Sequence, residues 1–404
     1  MDRLLVEPEL RSWAEKFAKR TRLAGGDAIA GILAIAARTD IISFAGGVPD
    51  PQTFPGTALA DLLRELALSR DATAFQYGPT EGLASTREFV ADRLEKSEGS
   101  RPGARELIVT SGGIEALELL GKAFLDGGDA VAVEAPTYLG SIMSFRSFEA
   151  EVVALPCDDA GIDPDLLEGE LRRGLRPKLL YTIPDHQNPA GTTLAADRRP
   201  AVVELARRYG FLLVEDVAYR ELTFEGEPLP TLYSAAPDVV LQIGTFSKTF
   251  MPGTRLGWAC GPAEVVEKLV WAKQTTDQCA STLAQRLLEE YGRRGLLDET
   301  IGRSCELYGR RCRLLLTALE RTMPAEVEWT RPRGGFFTWL TLPDGADTTS
   351  LAKRATEAGV AFVPGVPFFP DGRGRRNLRL AFSRVEDAEI EEGAARLAAL
   401  LEQT

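Results

Sequence analysis

Gly244-Thr245-Phe246-Ser247-Lys248-Thr249-Phe250-Met251-Pro252-Gly253-Thr254-Arg255-Leu256-Gly257 is fed by an apolar run, Val239-Val240-Leu241-Gln242-Ile243, that has the pattern of a buried strand. Lys248 comes directly after small hydroxyl residues, and Arg255 follows seven positions later. A lone lysine leaving a buried strand is usually a solvated strand end. Here Thr245, Ser247 and Arg255 surround it with the makings of a phosphate cup. Hydroxyls donate to the dianion, and a guanidinium grips it as a bidentate fork. An amine beside such a cup suits an aldehyde that carries a phosphate, with which the amine forms a Schiff base.

Pyridoxal 5'-phosphate (PLP) is such an aldehyde, and three upstream segments carry the residues it needs. Phe211-Leu212-Leu213-Val214-Glu215-Asp216-Val217-Ala218-Tyr219 reads as a buried parallel-type strand that ends in an acid. A carboxylate at Asp216 would keep the pyridine nitrogen protonated, and Tyr219 would reach the ring O3'. An acid at a strand end also reads as merely solvated, and Asp216 alone does not decide. Leu179-Leu180-Tyr181-Thr182-Ile183-Pro184-Asp185-His186-Gln187-Asn188-Pro189-Ala190-Gly191 is a strand running into a turn, where Asn188 offers an amide donor to O3'. Leu107-Ile108-Val109-Thr110-Ser111-Gly112-Gly113-Ile114-Glu115-Ala116-Leu117 is a strand, a glycine pair and an amphipathic helix in order. The free N–H groups at that helix start favour a phosphate, although such a turn is often only a tight connection. Tyr138, in Glu134-Ala135-Pro136-Thr137-Tyr138, is placed to stack on the pyridine or to fill core.

In this order and combination the segments resemble the fold-type I PLP-dependent aminotransferases of class I/II. More narrowly they are similar to the bacterial and archaeal α-aminoadipate/kynurenine-type subgroup. The resemblance runs from Ser12-Trp13 through Ser43-Phe44-Ala45-Gly46-Gly47-Val48-Pro49-Asp50 and Gln76-Tyr77-Gly78-Pro79-Thr80-Glu81-Gly82 to Asn377-Leu378-Arg379-Leu380-Ala381-Phe382. It implies an α/β fold: a large domain with a mostly parallel sheet between helices, and a smaller α+β domain. The expected division is an arm over 1–45, a PLP-binding domain over 46–285 and a small domain over 286–404. It implies roles as well. Lys248 matches the lysine that carries the cofactor, Asp216 the pyridinium partner, Asn188 and Tyr219 the O3' partners. Tyr138 matches the stacking ring, and Ala218 packs under the opposite face. Gly112, Gly113, Ile114, Thr245, Ser247 and Arg255 match the phosphate cup. Tyr77 matches a tyrosine that reaches the neighbouring subunit's cofactor phosphate, so a homodimer with shared sites is expected. Arg379 matches the clamp on the substrate α-carboxylate, with Gly46 and Gly47 in a loop over the substrate and Asn188 beside it.

This sequence departs from the family's pattern at three places. The family usually has a hydroxyl residue followed by glutamine where Gly113-Ile114 stand, so the phosphate would rely there on backbone N–H groups. His186 stands where an aromatic or small residue is usual. The subgroup often carries an arginine on an early helix for a distal substrate carboxylate. The helix expected here is Asp27-Ala28-Ile29-Ala30-Gly31-Ile32-Leu33, and Ala30 takes the arginine's position. Arg20 and Arg22 are the nearby cations.

At 404 residues the chain exceeds one ordinary core, and 44% hydrophobic with 26% charged residues describes an ordinary soluble protein. A net charge of -12 argues against nucleic acid, because neutralising phosphates needs a basic surface. The short run Arg373-Gly374-Arg375-Arg376 reads as a solvated loop. Cys157, Cys260, Cys279, Cys305 and Cys312 form no C-x-x-C pair, which suits reduced thiols in the cytoplasm. No signal peptide or membrane span is expected, since no apolar run reaches roughly 18 residues. With His186 as the only histidine, histidine-rich metal sites are excluded, and its expected role is to tune the Asn188 turn.

The activity implied is transfer of an amino group from an L-amino acid to a 2-oxo acid, with 2-oxoglutarate as acceptor. Another PLP chemistry on the same scaffold (lyase, decarboxylase or oxidase) is one alternative. A non-catalytic aminotransferase-like regulator is a second, disfavoured because no winged helix fits before Ser43. A cofactor-free binding module is a third, and Lys248, Asp216 and Arg255 together argue against it.

Overall fold

The structure is a computed structural model and describes residues 13, 16–22, 38, 40–69 and 72–402. Its strands in chain order are β1 (Ile42–Ser43), β2 (Leu107–Thr110), β3 (Ala130–Ala135), β4 (Glu151–Asp158), β5 (Gly161–Ile162), β6 (Leu179–Thr182) and β7 (Leu212–Asp216). They continue with β8 (Val240–Thr245), β9 (Gly257–Cys260), β10 (Glu328–Trp329), β11 (Phe337–Thr341), β12 (Val360–Ala361), β13 (Val363–Pro364) and β14 (Asn377–Ala381).

Eight strands make the main sheet, in the order β2-β9-β8-β7-β6-β3-β4-β5. From β4 through β3, β6 and β7 to β8 every pairing is parallel. Only β9, between β2 and β8, and the short β5 run the other way. The side chains show why these strands read as continuous apolar runs. Ile108, Leu179, Tyr181, Val214 and Leu241 point into one core. Their neighbours Leu107, Val109, Leu180, Leu213 and Val240 point into a second core on the opposite face. A strand alternates its side chains, so burial on both faces needs apolar residues at both parities. Helices cover both faces. Arg198–Tyr209, for example, ends where Gly210 turns left-handed at φ 71°.

After Ser281 the chain forms the helix Thr282–Arg293 and the 27-residue helix Leu296–Thr322. A four-stranded antiparallel sheet follows, β10-β11-β14-β13. Its strand β14 carries Arg379. The helix Asp387–Leu401 packs on Leu296–Thr322, and the first core continues through Leu315, Leu319, Phe336, Leu378 and Leu397. The small sheet therefore shares its apolar interior with one face of the large one. Early in the chain, β1 pairs in parallel with β12. The helix expected at Asp27–Leu33, with Ala30, lies outside the described residues.

The parallel arrangement sets the site. β6, β7 and β8 are in register at Thr182, Glu215 and Gln242, and Asp216 lies opposite Ile243. Their carboxyl ends share one edge, and the chain leaves that edge into Asn188, Tyr219 and Lys248. Ligands bind at such edges. Among the described residues, no helix is long and apolar enough to cross a membrane.

Candidate active site

A cavity of about 410 Å³ opens at this edge, between the large sheet and strand β14. Lys248, Asp216, Tyr219, Asn188, Tyr138, Ala218, Arg255 and Arg379 all line it, with Gly46, Gly47, Gly113, Ile114, Thr245 and Ser247. Residues read from separate stretches of sequence thus share one chamber.

Asp216 closes β7 at the floor. Its Oδ2 accepts a hydrogen bond from the Tyr181 hydroxyl at 2.7 Å, and its Oδ1 accepts the Ala218 N–H at 3.1 Å. Burial pushes its carboxyl up, and the bond from Tyr181 opposes this. Tyr181 was not singled out from sequence, although a tyrosine in a fully buried strand needs a partner for its hydroxyl. Lys248 Nζ donates to the Gly47 carbonyl at 3.2 Å and lies 5.8 Å from the ring centres of Tyr219 and Phe336. Burial, then the positive charge of Arg379, lowers its pKa to about 8, although Asp216 pulls the other way.

Arg379 comes from β14 and is 4% exposed. Its Nη1 donates to Asn188 Oδ1 at 2.8 Å and its Nη2 to the Ala45 carbonyl at 3.0 Å. The guanidinium stacks on Phe337 at 4.2 Å and on Phe368 at 5.0 Å. Burial lowers its pKa to about 10. Its Nε finds no partner among the described residues. Asn188 in turn donates to the Tyr219 hydroxyl at 3.5 Å. Gln187 anchors this turn by donating to the fully buried Glu134 at 3.0 Å.

At the other end, the helix Gly113–Phe124 starts after Gly112, whose φ is 90°. A Cβ on Gly112 would lie 2.6 Å from Arg255 Nη2, so a side chain there would push the guanidinium aside, and the left-handed backbone favours glycine. Thr245 Oγ1 donates to Ser247 Oγ at 3.0 Å, and Arg255 Nη1 to the same Ser247 Oγ at 3.3 Å. Over the cavity, Gly47 sits against Phe337, where a Cβ would come within 2.6 Å of Cζ. The loop is tied down by Ser383 Oγ, which donates to the Val48 carbonyl at 2.7 Å.

Three residues stand apart. Tyr77 is 79% exposed and does not line its own chain's cavity. His186 lies behind the wall, with φ 52° and its Nε2 2.8 Å from Thr223 Oγ1. Burial lowers its pKa to about 4, so it is neutral at pH 7. Arg20 is exposed in a short helix, Lys19–Arg22, and is not among the lining residues.

The sequence profile of the family described as "Aminotransferase class I and II" matches residues 39–397. The chain belongs to the class I and II aminotransferases. It is 39% identical over 377 residues to an aromatic-amino-acid aminotransferase of Thermococcus litoralis, covering 92% of this chain and 90% of that one. It is equally 39% identical over 390 residues to the 2-aminoadipate transaminase of Thermus thermophilus, covering 96% of both. The solved α-aminoadipate aminotransferase of Thermus thermophilus, complexed with N-(5'-phosphopyridoxyl)-L-leucine, superposes with a TM-score of 0.90 at 38% identity. That match covers 97% of this chain and 99% of that one. The protein is therefore a transaminase of fold type I, and its cofactor is PLP. The cavity fits that cofactor. It offers an amine for the aldehyde, a buried carboxylate at one end for the ring nitrogen, and hydroxyls, a guanidinium and a helix start at the other end for the phosphate.

The low pKa of Lys248 predicts a pH-dependent cost in the protein freed of cofactor. In the unfolded chain the lysine titrates near 10.5, in the folded one near about 8. The lysine's contribution to stability is therefore most favourable above pH 10.5 and falls as the pH drops to 8, where the full cost is present. Lys248→Met removes that cost. At pH 7 the variant should be more stable than the wild type by up to about 3 kcal/mol, from roughly 1.4 kcal/mol per pH unit. The advantage should fade above pH 10. Urea unfolding across pH 7 to 10.5 checks this, and an advantage that does not vary with pH would refute it.

Proposed function

We propose that Lys248 carries the cofactor and transfers protons, Asp216 holds the ring nitrogen, and Arg379 holds the substrate α-carboxylate. The observation that carries this reading is a buried amine of lowered pKa facing a buried guanidinium across one cavity. When bound, PLP supplies an aldehyde and an electron-drawing ring. Asp216 keeps that ring protonated, and Tyr181 keeps Asp216 oriented. Asn188 and Tyr219 meet the ring O3', while Tyr138 and Ala218 bracket its faces. Gly112, Gly113, Ile114, Thr245, Ser247 and Arg255 hold the phosphate. Arg379 fixes the amino acid by its carboxylate, so that its Cα hydrogen faces Lys248. Lys248 would serve as the base that takes that proton and gives it back. A pKa near the working pH suits both transfers. The Gly46–Gly47 loop excludes water above. The acceptor that closes the cycle is 2-oxoglutarate. In this reading 46–285 form the cofactor domain and 286–404 the small domain, with 1–45 as an arm. Lys248→Ala should bind PLP non-covalently and lose all measurable turnover. Full activity in that variant would remove Lys248 from the mechanism.

The protein works as a homodimer in which Tyr77 completes the neighbour's phosphate site. Tyr77 is exposed, as are the apolar side chains of Leu68 and Phe75 earlier in the same stretch of chain, and such residues suit a buried interface. Sedimentation should give a dimer at assay concentration, and a fully active monomer would contradict it. The five free thiols favour the cytoplasm. Recovery from a secreted or periplasmic fraction would overturn that placement.

The donors are neutral, bulky amino acids at least as much as acidic ones. Among the described residues, the cations on the cavity wall are Lys248, Arg255 and Arg379, and each has a task in this scheme. No fourth is left for a distal carboxylate, and Ala30 replaces the expected arginine. The wall also offers Val48, Leu117, Leu139 and Ile183 to apolar side chains. With 2-oxoglutarate fixed, kcat/KM for leucine and phenylalanine should equal or exceed that for 2-aminoadipate. A preference for 2-aminoadipate above about tenfold, or roughly 1.4 kcal/mol, would show that another cation serves the acid.

A further inference from the structure

The turn at the phosphate end is held by an ion cluster that takes no part in the proposed chemistry. Lys273 is fully buried, at 0% exposure. Its Nζ donates to both Glu115 oxygens at 2.8 and 2.7 Å and to both Asp277 oxygens at 2.7 and 2.8 Å. Glu115 lies in the first turn of the helix Gly113–Phe124. Burial pushes its carboxyl up, and the bond from Lys273 opposes this. Both carboxylates also reach one residue, Ser111. Glu115 Oε2 accepts the Ser111 N–H at 2.5 Å, and Asp277 Oδ2 accepts the Ser111 hydroxyl at 2.6 Å. The third polar group of Ser111, its carbonyl, accepts Arg255 Nη2 at 3.4 Å.

Ser111 is therefore the joint between a buried cluster and the glycine turn of the cup. The turn has little freedom elsewhere. The Gly112 carbonyl accepts from Thr110 Oγ1 at 3.1 Å and from the Glu115 N–H at 3.2 Å. A Cβ on Gly257 would lie 2.8 Å from the Gly112 carbonyl carbon, so the turn is pressed onto β9. At Gly113 and Ile114 no side-chain hydroxyl or amide is available to a phosphate, which leaves backbone N–H groups as the donors there. Backbone donors cannot reorient by changing rotamer, so their aim depends on whatever fixes the turn.

We infer that Lys273, Glu115 and Asp277, acting through Ser111, are positioning residues that aim the Gly112–Ile114 N–H groups and Arg255 at the cofactor phosphate. The inference rests on the cofactor site proposed above. It differs from a merely structural role in one respect: its effect falls on the phosphate and not on the rest of the cofactor.

The test compares PLP with pyridoxal, the same aldehyde without the phosphate. Dissociation constants for both are measured by absorbance on the full-length protein, as wild type, Ser111→Ala and Glu115→Gln. Ser111→Ala removes the hydroxyl tie to Asp277, keeps the N–H bond to Glu115 and leaves all four Lys273 contacts in place, so it is the variant expected to fold normally. Glu115→Gln changes the cluster itself, and its melting temperature is read alongside. Ser111→Ala should weaken PLP by about tenfold, the scale of one lost charge-assisted bond, and shift pyridoxal by less than about twofold. Glu115→Gln should show the same selectivity. Equal losses for both aldehydes would reduce the cluster to a structural role, and unchanged PLP affinity would overturn the inference outright. Wild-type protein that binds neither aldehyde would sink the site assignment and this inference with it. Wild type that binds PLP more tightly than pyridoxal, with variants that keep the same ratio, would sink the inference alone.

Discussion

The buried guanidinium of Arg379 is the interaction on which the rest of the site depends. A cation removed from water is costly unless its surroundings repay it. Here the repayment comes from both parts of the protein. Asn188 belongs to the turn after β6, the Ala45 carbonyl to the segment after β1, Phe337 to β11 and Phe368 to the short helix Val366–Phe368. The bond to Asn188 ties the small sheet to the edge of the large sheet. Moving the small sheet away from that edge would take the cation from Asn188. Two of its five N–H groups are used in these bonds, and Nε has no partner among the described residues.

The same charge sets the chemistry of its neighbour. Lys248 is lowered first by burial and then by Arg379, so the cation proposed to grip a carboxylate also favours a neutral amine. In the proposed scheme a substrate carboxylate paired with Arg379 would offset that influence and raise the lysine's basicity when its nitrogen is needed as a base. Asp216 acts in the opposite direction from the floor of the cavity. Binding of the amino acid and readiness of the base are thus coupled by electrostatics without any moving part.

Much of this was legible in the sequence because the parallel sheet is regular. Apolar runs at 179–183, 211–217 and 239–243 place whatever follows them on one edge, which is how Asn188, Tyr219 and Lys248 were found as a set. The helix start at Gly112-Gly113 was legible for the same reason. What escaped came from pairing across distant segments. Tyr181 meets Asp216 because β6 and β7 are neighbours, and no spacing along the chain encodes that neighbour. Phe336, Phe337 and Phe368 read as core, and they are core, but their faces also carry Lys248 and Arg379. Lys273 and Glu115 are 158 positions apart, and each alone reads as a solvated charge on a helix. Ala30, on which the substrate argument partly rests, lies outside the described residues.

The phosphate end shows how a binding site can be rebuilt when its usual side chains are missing. A hydroxyl and an amide contribute donors that adjust by rotating, and they tolerate a turn that is held loosely. With Gly113 and Ile114 in their place, the donors are fixed to the backbone and inherit its errors. A turn then has to be held from outside. Three kinds of restraint converge on this one: the left-handed Gly112 with no room for a side chain, the contact with Gly257 on β9, and a buried lysine shared by two carboxylates. The first two limit where the turn can lie, and the third reaches it through Ser111. In the arrangement inferred above, stiffness of the turn would take the place of adaptable side chains.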